Sequence, residues 1–175
     1  MDSEKLSRAL RDTMPLDVCV TAGQALAMPL TARERASLGA VEANRFGEFE
    51  SGRAYAKRAL AMLGMRNVDL PIGSRRSAVW PTGVVGSITH ERYGHDGTYV
   101  VAAVARTDAV LAGGVDFEME NSLHPHLWRH VLTKRELERI LAFPVGTRPT
   151  EAQHIWCAKE ATVKTMEEPF DPGRT

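Results

Sequence analysis

Two acids set two residues apart form the sharpest chemical feature of the chain: Asp116 and Glu118, in Gly114-Val115-Asp116-Phe117-Glu118. On a strand, residues two apart point to one side. Both carboxylates then share a face, while Val115 and Phe117 turn to the other, toward core. Neighbouring carboxylates repel, and a cation between them relieves the repulsion. Mg²⁺ favours one or two carboxylates completed by water and phosphate oxygens. The pentapeptide alone fits equally well a solvated strand end that runs on into Glu120.

Three further groups carry chemistry. In Trp156-Cys157-Ala158-Lys159-Glu160-Ala161-Thr162-Val163-Lys164, Glu160 and Lys164 are four apart and share a helix face. By itself that spacing fits an ordinary surface ion pair. Trp156, one turn earlier, makes the face less than fully solvated, so Glu160 is a candidate third metal carboxylate or general base. Trp80-Pro81-Thr82-Gly83-Val84-Val85-Gly86-Ser87-Ile88-Thr89-His90 ends in hydroxyls and an imidazole. Ser87, Thr89 and His90 can each hydrogen-bond a phosphate, or be plain polar strand positions. No G-x-S-x-G elbow surrounds Ser87. Arg53, Lys57 and Arg58 on one helix, with Arg75 and Arg76 in a loop, could build a local phosphate site; each alone fits a solvated face. His124, His126 and His130 lack the paired spacing of a zinc site, and surface or helix-cap roles suit them better.

The elements that must position these residues follow from periodicity and punctuation. A short helix and a strand near Leu16–Thr21 open the chain. Thr31 with Glu34 makes a capping box. From Val41 to Leu63, Phe46, Phe49, Ala56, Leu60 and Leu63 keep helical spacing. Arg53 falls on that stripe, at the rim of the core or reaching into a pocket. Gly64 stops the helix. A Pro/Gly loop over 71–83 leads to strands Val84–Thr89 and Thr98–Ala105, joined by Gly94-His95-Asp96-Gly97. A third strand, Val110–Glu118, contains Gly113-Gly114, which signals close backbone approach or a bulge. Then come a short helix near His126–Val131, a helix from Thr133 to Leu141 capped by Thr133 and Glu136, and a helix from Thr150 to Met166 with Ile155, Ala158, Thr162 and Met166 on its more apolar face. Pro169, Pro172 and Gly173 end it. This mixture predicts an α+β fold.

Composition narrows the class. The chain has 175 residues, 43% hydrophobic and 25% charged, with Lys+Arg and Asp+Glu balanced at 22 each. A zero net charge argues against general nucleic-acid binding. Cys19 and Cys157 form no C-x-x-C pair, and a reduced, cytoplasmic setting is expected. The charged N-terminus does not read as a signal peptide, and no apolar run is long enough to span a membrane. Neither a G-x-G-x-x-G nor a Walker A motif occurs.

The order W-P-x-G-x-x-G-S-I-T-H, then G-V-D-F-E, then W-x-x-K-E-A-x-x-K resembles the 4′-phosphopantetheinyl transferases of the larger, single-chain type. Within them it is most similar to the branch of enterobactin-associated and actinobacterial enzymes. G-E-F-E-S-G-R-A-Y-A-K-R-A-L resembles that branch's long helix, and the likeness runs from about Phe46 to Met166. The resemblance implies two small α/β lobes related by a pseudo-twofold axis, an N-terminal lobe over 1–108 and a C-terminal lobe over 109–175, the second incomplete at its C-terminus. It implies Asp116, Glu118 and Glu160 as ligands of Mg²⁺, and Glu160, Asp116 and Lys164 as the catalytic group. It implies Lys159 and Lys164 facing the phosphates of coenzyme A, His90 on its 3′-phosphate with Ser87 and Thr89 nearby, and Arg53, Lys57, Arg58 and Arg76 around the nucleotide. The implied reaction moves the phosphopantetheine arm of coenzyme A onto a serine of an apo acyl, polyketide or peptidyl carrier protein. A monomer without nucleic-acid or membrane partners is expected. The competing expectations are a metal-dependent nuclease and a non-catalytic homologue that binds coenzyme A or a carrier protein.

Overall fold

The computed structural model describes residues 3–73, 76–93, 97–119 and 122–167. Strands β1 (Val18–Gln24), β2 (Val84–Tyr93) and β3 (Gly97–Arg106) form one antiparallel sheet in the order β1-β3-β2. The middle strand reads Tyr-Val-Val-Ala-Ala-Val-Ala over 99–105, and both its faces are covered. A short, continuous apolar run is what a strand buried on both sides requires.

Alternation along β3 separates the two faces. Val100, Ala102 and Val104 pack against Tyr55, Ala56, Ala59 and Leu60 of α3 (Ala43–Met62). Val101 and Ala103 face the other way, with Val20, Ala22 and Val115, and with Leu6 and Leu10 of α1 (Ser3–Thr13). Ser7 pins α1 to β1, its Oγ donating to the Ala22 carbonyl and accepting from the Ala22 N–H. The short helix α2 (Ala32–Leu38) carries the expected capping box of Thr31 and Glu34.

Beyond β3 the architecture is helical. A 3₁₀ turn over Pro125–Leu127 leads into α4 (Trp128–Val131), α5 (Lys134–Ala142) and α6 (Arg148–Glu167). α5 has the expected Thr133–Glu136 capping box. Leu123, Trp128, Leu132, Ile140 and Ala152 make a second, smaller core. The fold is α+β, as expected. No helix among the described residues is long and apolar enough to cross a membrane.

Two expectations are corrected. Val110–Glu118 is not a strand; no strand follows β3 among the described residues. The Val115 N–H goes to the Ser87 Oγ, a side chain of β2, instead of a ladder carbonyl. Alternation in this segment is real, since Val115 is buried and Phe117 packs beside it, but it lies across the sheet's flank without a pairing partner. The expected apolar face of α6 holds only at its start: Ile155 packs against the second core, but Ala158, Thr162 and Met166 are exposed. Ala152 and Gln153 are buried instead, and Ala161 packs its carbonyl against Gly114. The turn residues 94–96, Arg75, Glu120 and the expected stop at Pro169, Pro172 and Gly173 lie outside the described residues.

Candidate active site

A cavity of about 310 Å³ opens between α3, the loop at 72–80 and the α3-facing side of β2. Arg45, Arg53, Arg76, His90 and Lys164 line it. Of the residues singled out by sequence, Arg53, Arg76, His90 and Lys164 line it, and Ser87 borders it although its hydroxyl turns to the other face of β2. Trp80 forms part of the wall, and its ring lies so close to Gly86 that a Cβ there would approach it to 2.7 Å.

Arg53 is fixed from below. Its Nε donates to the Leu70 carbonyl at 2.5 Å, and its guanidinium sits 4.1 Å from the Phe49 ring centroid. Burial lowers its pKa to about 10, with Glu34 opposing that change and Arg45 adding to it, so the side chain stays cationic at neutral pH. Leu70 is held in turn by Glu34, which is fully buried. One Glu34 oxygen accepts from the Leu70 N–H at 2.9 Å; the other accepts from Lys57 Nζ at 2.8 Å and the Thr31 N–H at 3.0 Å. Burial opposes the charge on Glu34, but these donors outweigh it and hold the carboxyl below the usual range. Arg76 reaches the cavity from a backbone at φ 64°, a left-handed conformation that costs on the order of 1 kcal/mol for a residue with a Cβ.

Some expected positions go elsewhere. Lys57 serves the buried Glu34. Arg58 lies over the Tyr55 ring. Lys159 donates to the Val131 carbonyl at 2.7 Å and to Glu136 at 2.9 Å, tying α6 to α4 and α5. None of these three lines the cavity. Ser87 and Thr89 are paired across from Ala103 and Val101, whereas His90 is paired with Val100; cross-strand partners share a face, so the hydroxyls and the imidazole sit on opposite faces of β2. His124, His126 and His130 are exposed, as expected.

The hydroxyls hold the acid segment. Ser87 anchors Val115, and Thr89 Oγ1 donates to Asp116 Oδ1 at 3.0 Å. Lys164 Nζ donates to the same Oδ1 at 2.6 Å and to the Val115 carbonyl at 3.3 Å. Lys164 therefore joins the acid segment to the cavity across the open edge of β2. No ion pair joins it to Glu160, so the simple i,i+4 pair is not formed among the described residues. α6 comes this close because residue 114 is glycine: a Cβ there would lie 1.8 Å from the Ala161 carbonyl oxygen.

Carboxylates crowd the far side of Lys164. Burial raises the Glu118 carboxyl, and the charges of Asp116 and Glu160 add to that, against a hydrogen bond from Ser122. Glu91 is raised by burial and then by Glu118 and Asp116. The Cys157 thiol is pushed up to about 12 by burial, then by Asp116 and Glu118. Asp116 has a side chain only 4% exposed, and its Oδ2 is buried without a hydrogen-bond partner. This donor set fits a hard divalent cation by type, and the orphaned oxygen is where one would bind. The expected three-carboxylate cage is not preassembled, however. No group of three His, Cys, Asp or Glu side chains among the described residues stands close enough to hold a metal, and the Lys164 ammonium sits on Asp116.

The sequence reading missed Arg45 and Glu48. Arg45 Nη1 lies 3.2 Å from Glu48 and 3.4 Å from His90 Nε2. Their one signal was the i,i+3 spacing of opposite charges. Burial, followed by Arg45 and Lys164, holds the His90 imidazole below its ordinary range, with Glu48 opposing them.

Comparison with known proteins gives the family. Residues 33–105 match the family model of the 4′-phosphopantetheinyl transferase N-terminal domain, and residues 113–172 match that of the 4′-phosphopantetheinyl transferase superfamily. The chain is 37% identical over 126 residues to the 4′-phosphopantetheinyl transferase PptT of Mycobacterium tuberculosis, covering 70% of this chain and 51% of the relative. It is 35% identical over 117 residues to Npt of Nocardia iowensis, covering 67% and 50%. To Svp of Streptomyces mobaraensis it is 38% identical over 90 residues, covering 51% and 35%. The chain spans about half the length of the first two relatives. With both family models matched in order along the chain, it belongs to the 4′-phosphopantetheinyl transferase superfamily.

Proposed function

We propose that this chain binds coenzyme A and takes part in moving its 4′-phosphopantetheine arm onto a serine of an apo carrier protein, as a holo-[acyl-carrier-protein] synthase type transferase that releases 3′,5′-ADP. The observation that carries the reading is the cavity lined by Arg45, Arg53, Arg76, His90 and Lys164 beside the acid segment 115–118. A ligand bearing several phosphates matches that charge. The adjoining acids match the place where leaving-group charge would build.

Each residue has a task in this account. Arg53, fixed by Leu70 and Phe49, and Arg76 hold the nucleotide phosphates. His90 donates to the 3′-phosphate. Lys164 reaches the pyrophosphate from its seat on Asp116. Asp116, Glu118 and Glu160 are the residues that would hold Mg²⁺, which when bound neutralises charge on the pyrophosphate. Glu160, or a water it orients, accepts the proton of the carrier serine. The serine Oγ bonds to the phosphorus that bears the pantetheine arm, and the bond from that phosphorus to the oxygen of 3′,5′-ADP breaks. Holding these groups in line supplies much of the acceleration.

Intact-protein mass spectrometry tests the reading. An apo carrier protein incubated with the chain, coenzyme A and Mg²⁺ should gain one phosphopantetheine group, and a chelator should abolish the gain. Coenzyme binding without any gain, over several carriers, would favour the non-catalytic reading.

A further inference from the structure

Glu48 is the one carboxylate among the described residues that line the cationic cavity. Its Oε2 lies 3.2 Å from Arg45 Nη1 and 3.8 Å from His90 Nε2, and its Oε1 lies 3.8 Å from Arg92 Nη2. The side chain is 20% exposed. It also lines a second cavity of about 300 Å³, where Arg92 lies too, so it stands in the partition between the two. A negative charge in an anion site opposes the ligand, because like charges a few ångströms apart repel. Its presence therefore calls for an offsetting task.

The geometry supplies one. Arg45 is in the first turn of α3, its side chain 45% exposed. Such an arginine has many rotamers, and ordering it at the moment of binding costs free energy. Its i+3 neighbour Glu48 holds it toward the cavity in advance. The same oxygen faces His90 from across the gap between α3 and β2. The charged groups facing the His90 ring are Glu48 and Arg45 from α3 and Lys164 from α6; Val100 is its partner in β3. Glu48 is the charged group that favours a cationic ring, against burial and both cations.

We infer that Glu48 is a positioning residue that clamps the Arg45 guanidinium and the His90 imidazole together at the cavity mouth, so that both donate to one phosphate monoester of the ligand. The inference rests on the coenzyme-binding reading and names a residue that organises that site without touching the reacting atoms.

Calorimetric titration of the full chain with adenosine 3′,5′-bisphosphate, paired with NMR titration of His90 in the ligand-free protein, tests it. Glu48→Gln should weaken binding about tenfold, the scale of one charge-assisted hydrogen bond. It should also move the His90 midpoint to lower pH, since the charge that favours the protonated ring is removed. The melting temperature controls for folding. Glu48→Asp, with the charge kept, should keep the His90 midpoint closer to that of the unaltered chain. Binding that is unchanged or tighter in Glu48→Gln would overturn the inference, because repulsion of the ligand would then outweigh any clamping. A His90 midpoint that does not fall would also overturn it. Failure of the unaltered chain to bind the bisphosphate would instead sink the coenzyme reading, and with it the phosphate part of the inference. The ligand-free His90 titration would still decide whether Glu48 holds the ring.

Discussion

The sheet region and the helical region solve the placement of charge differently. In the first, cations are fixed by buried partners before any ligand arrives. Arg53 is locked through Leu70 to Glu34, and Glu34 to Lys57 and Thr31. This network lies against the larger core, where Ala54, Ala56, Ala59 and Leu60 have no exposure. In the second, the acids Asp116, Glu118 and Glu160 sit on an unpaired segment and on a helix with a small core of its own. They repel one another, and Lys164 is the cation that answers Asp116. On the proposed reading, the sheet side is organised for binding and the acid side for a further cation. Binding and chemistry should separate on mutation.

The largest effect should come from Asp116→Asn. Transfer should fall on the order of 1,000-fold or more, the scale of losing a metal-centred charge stabiliser. Adenosine 3′,5′-bisphosphate affinity should stay within about threefold, because no cation of the cavity except Lys164 depends on Asp116. Comparable losses of both would break the division between the two regions.

Glu34→Gln should damage the sheet side through stability. Removing one partner of a buried ion pair costs on the order of 3 kcal/mol, readable by chemical denaturation. The sign of its pH dependence follows from the lowered carboxyl of Glu34. Its folded pKa is depressed, so its stabilisation is present above the unfolded value and is lost as pH falls through the folded one. The gap between native and variant should therefore be widest near neutral pH and close in acid. A constant gap would show that the charge is not what matters.

Two cations on one helix sharpen the point. Arg53→Met should weaken the bisphosphate about tenfold or more. Lys57→Met, four residues on, should lower the melting temperature but leave affinity within about threefold. Equal losses of affinity would mean that the cavity reaches further along α3 than its lining indicates.

The smallest effect concerns Cys157. With its thiol pushed up to about 12, alkylation at about pH 8 should be slow, since the thiolate is the nucleophile. Asp116→Asn removes one cause of that shift and should speed alkylation. An unchanged rate would detach the thiol from the acid cluster.

How far the sequence foretold this can be traced residue by residue. β2 and β3 were readable because their valines and alanines outlast any helical period, and both capping boxes because Thr and Glu stand three apart. The order of motifs pointed to the family through Trp80–His90, Gly114–Glu118 and Trp156–Lys164. Gly114 was flagged for close approach, and the Ala161 carbonyl is what it approaches. The opposite facing of Ser87 and Thr89 from His90 was implicit in strand alternation. What the one-dimensional pattern lacked was partners. The 110–118 segment alternates like a strand, but pairing depends on a neighbour that local sequence does not name. Lys57 and Lys159 look like ligand cations until Glu34 and Glu136 arrive from 23 residues away. Arg45 and Glu48 look like a surface pair until β2 brings His90 beside them.

A calorimetric comparison of coenzyme A with dephospho-coenzyme A, which lacks the 3′-phosphate, on the unaltered chain asks directly what the cavity holds. If the cavity between α3 and β2 holds the nucleotide phosphates, coenzyme A should bind at least about tenfold more tightly, and the advantage should shrink in Arg53→Met. Equal affinities would contradict the account, because His90 and the arginines around it would then have no phosphate to read.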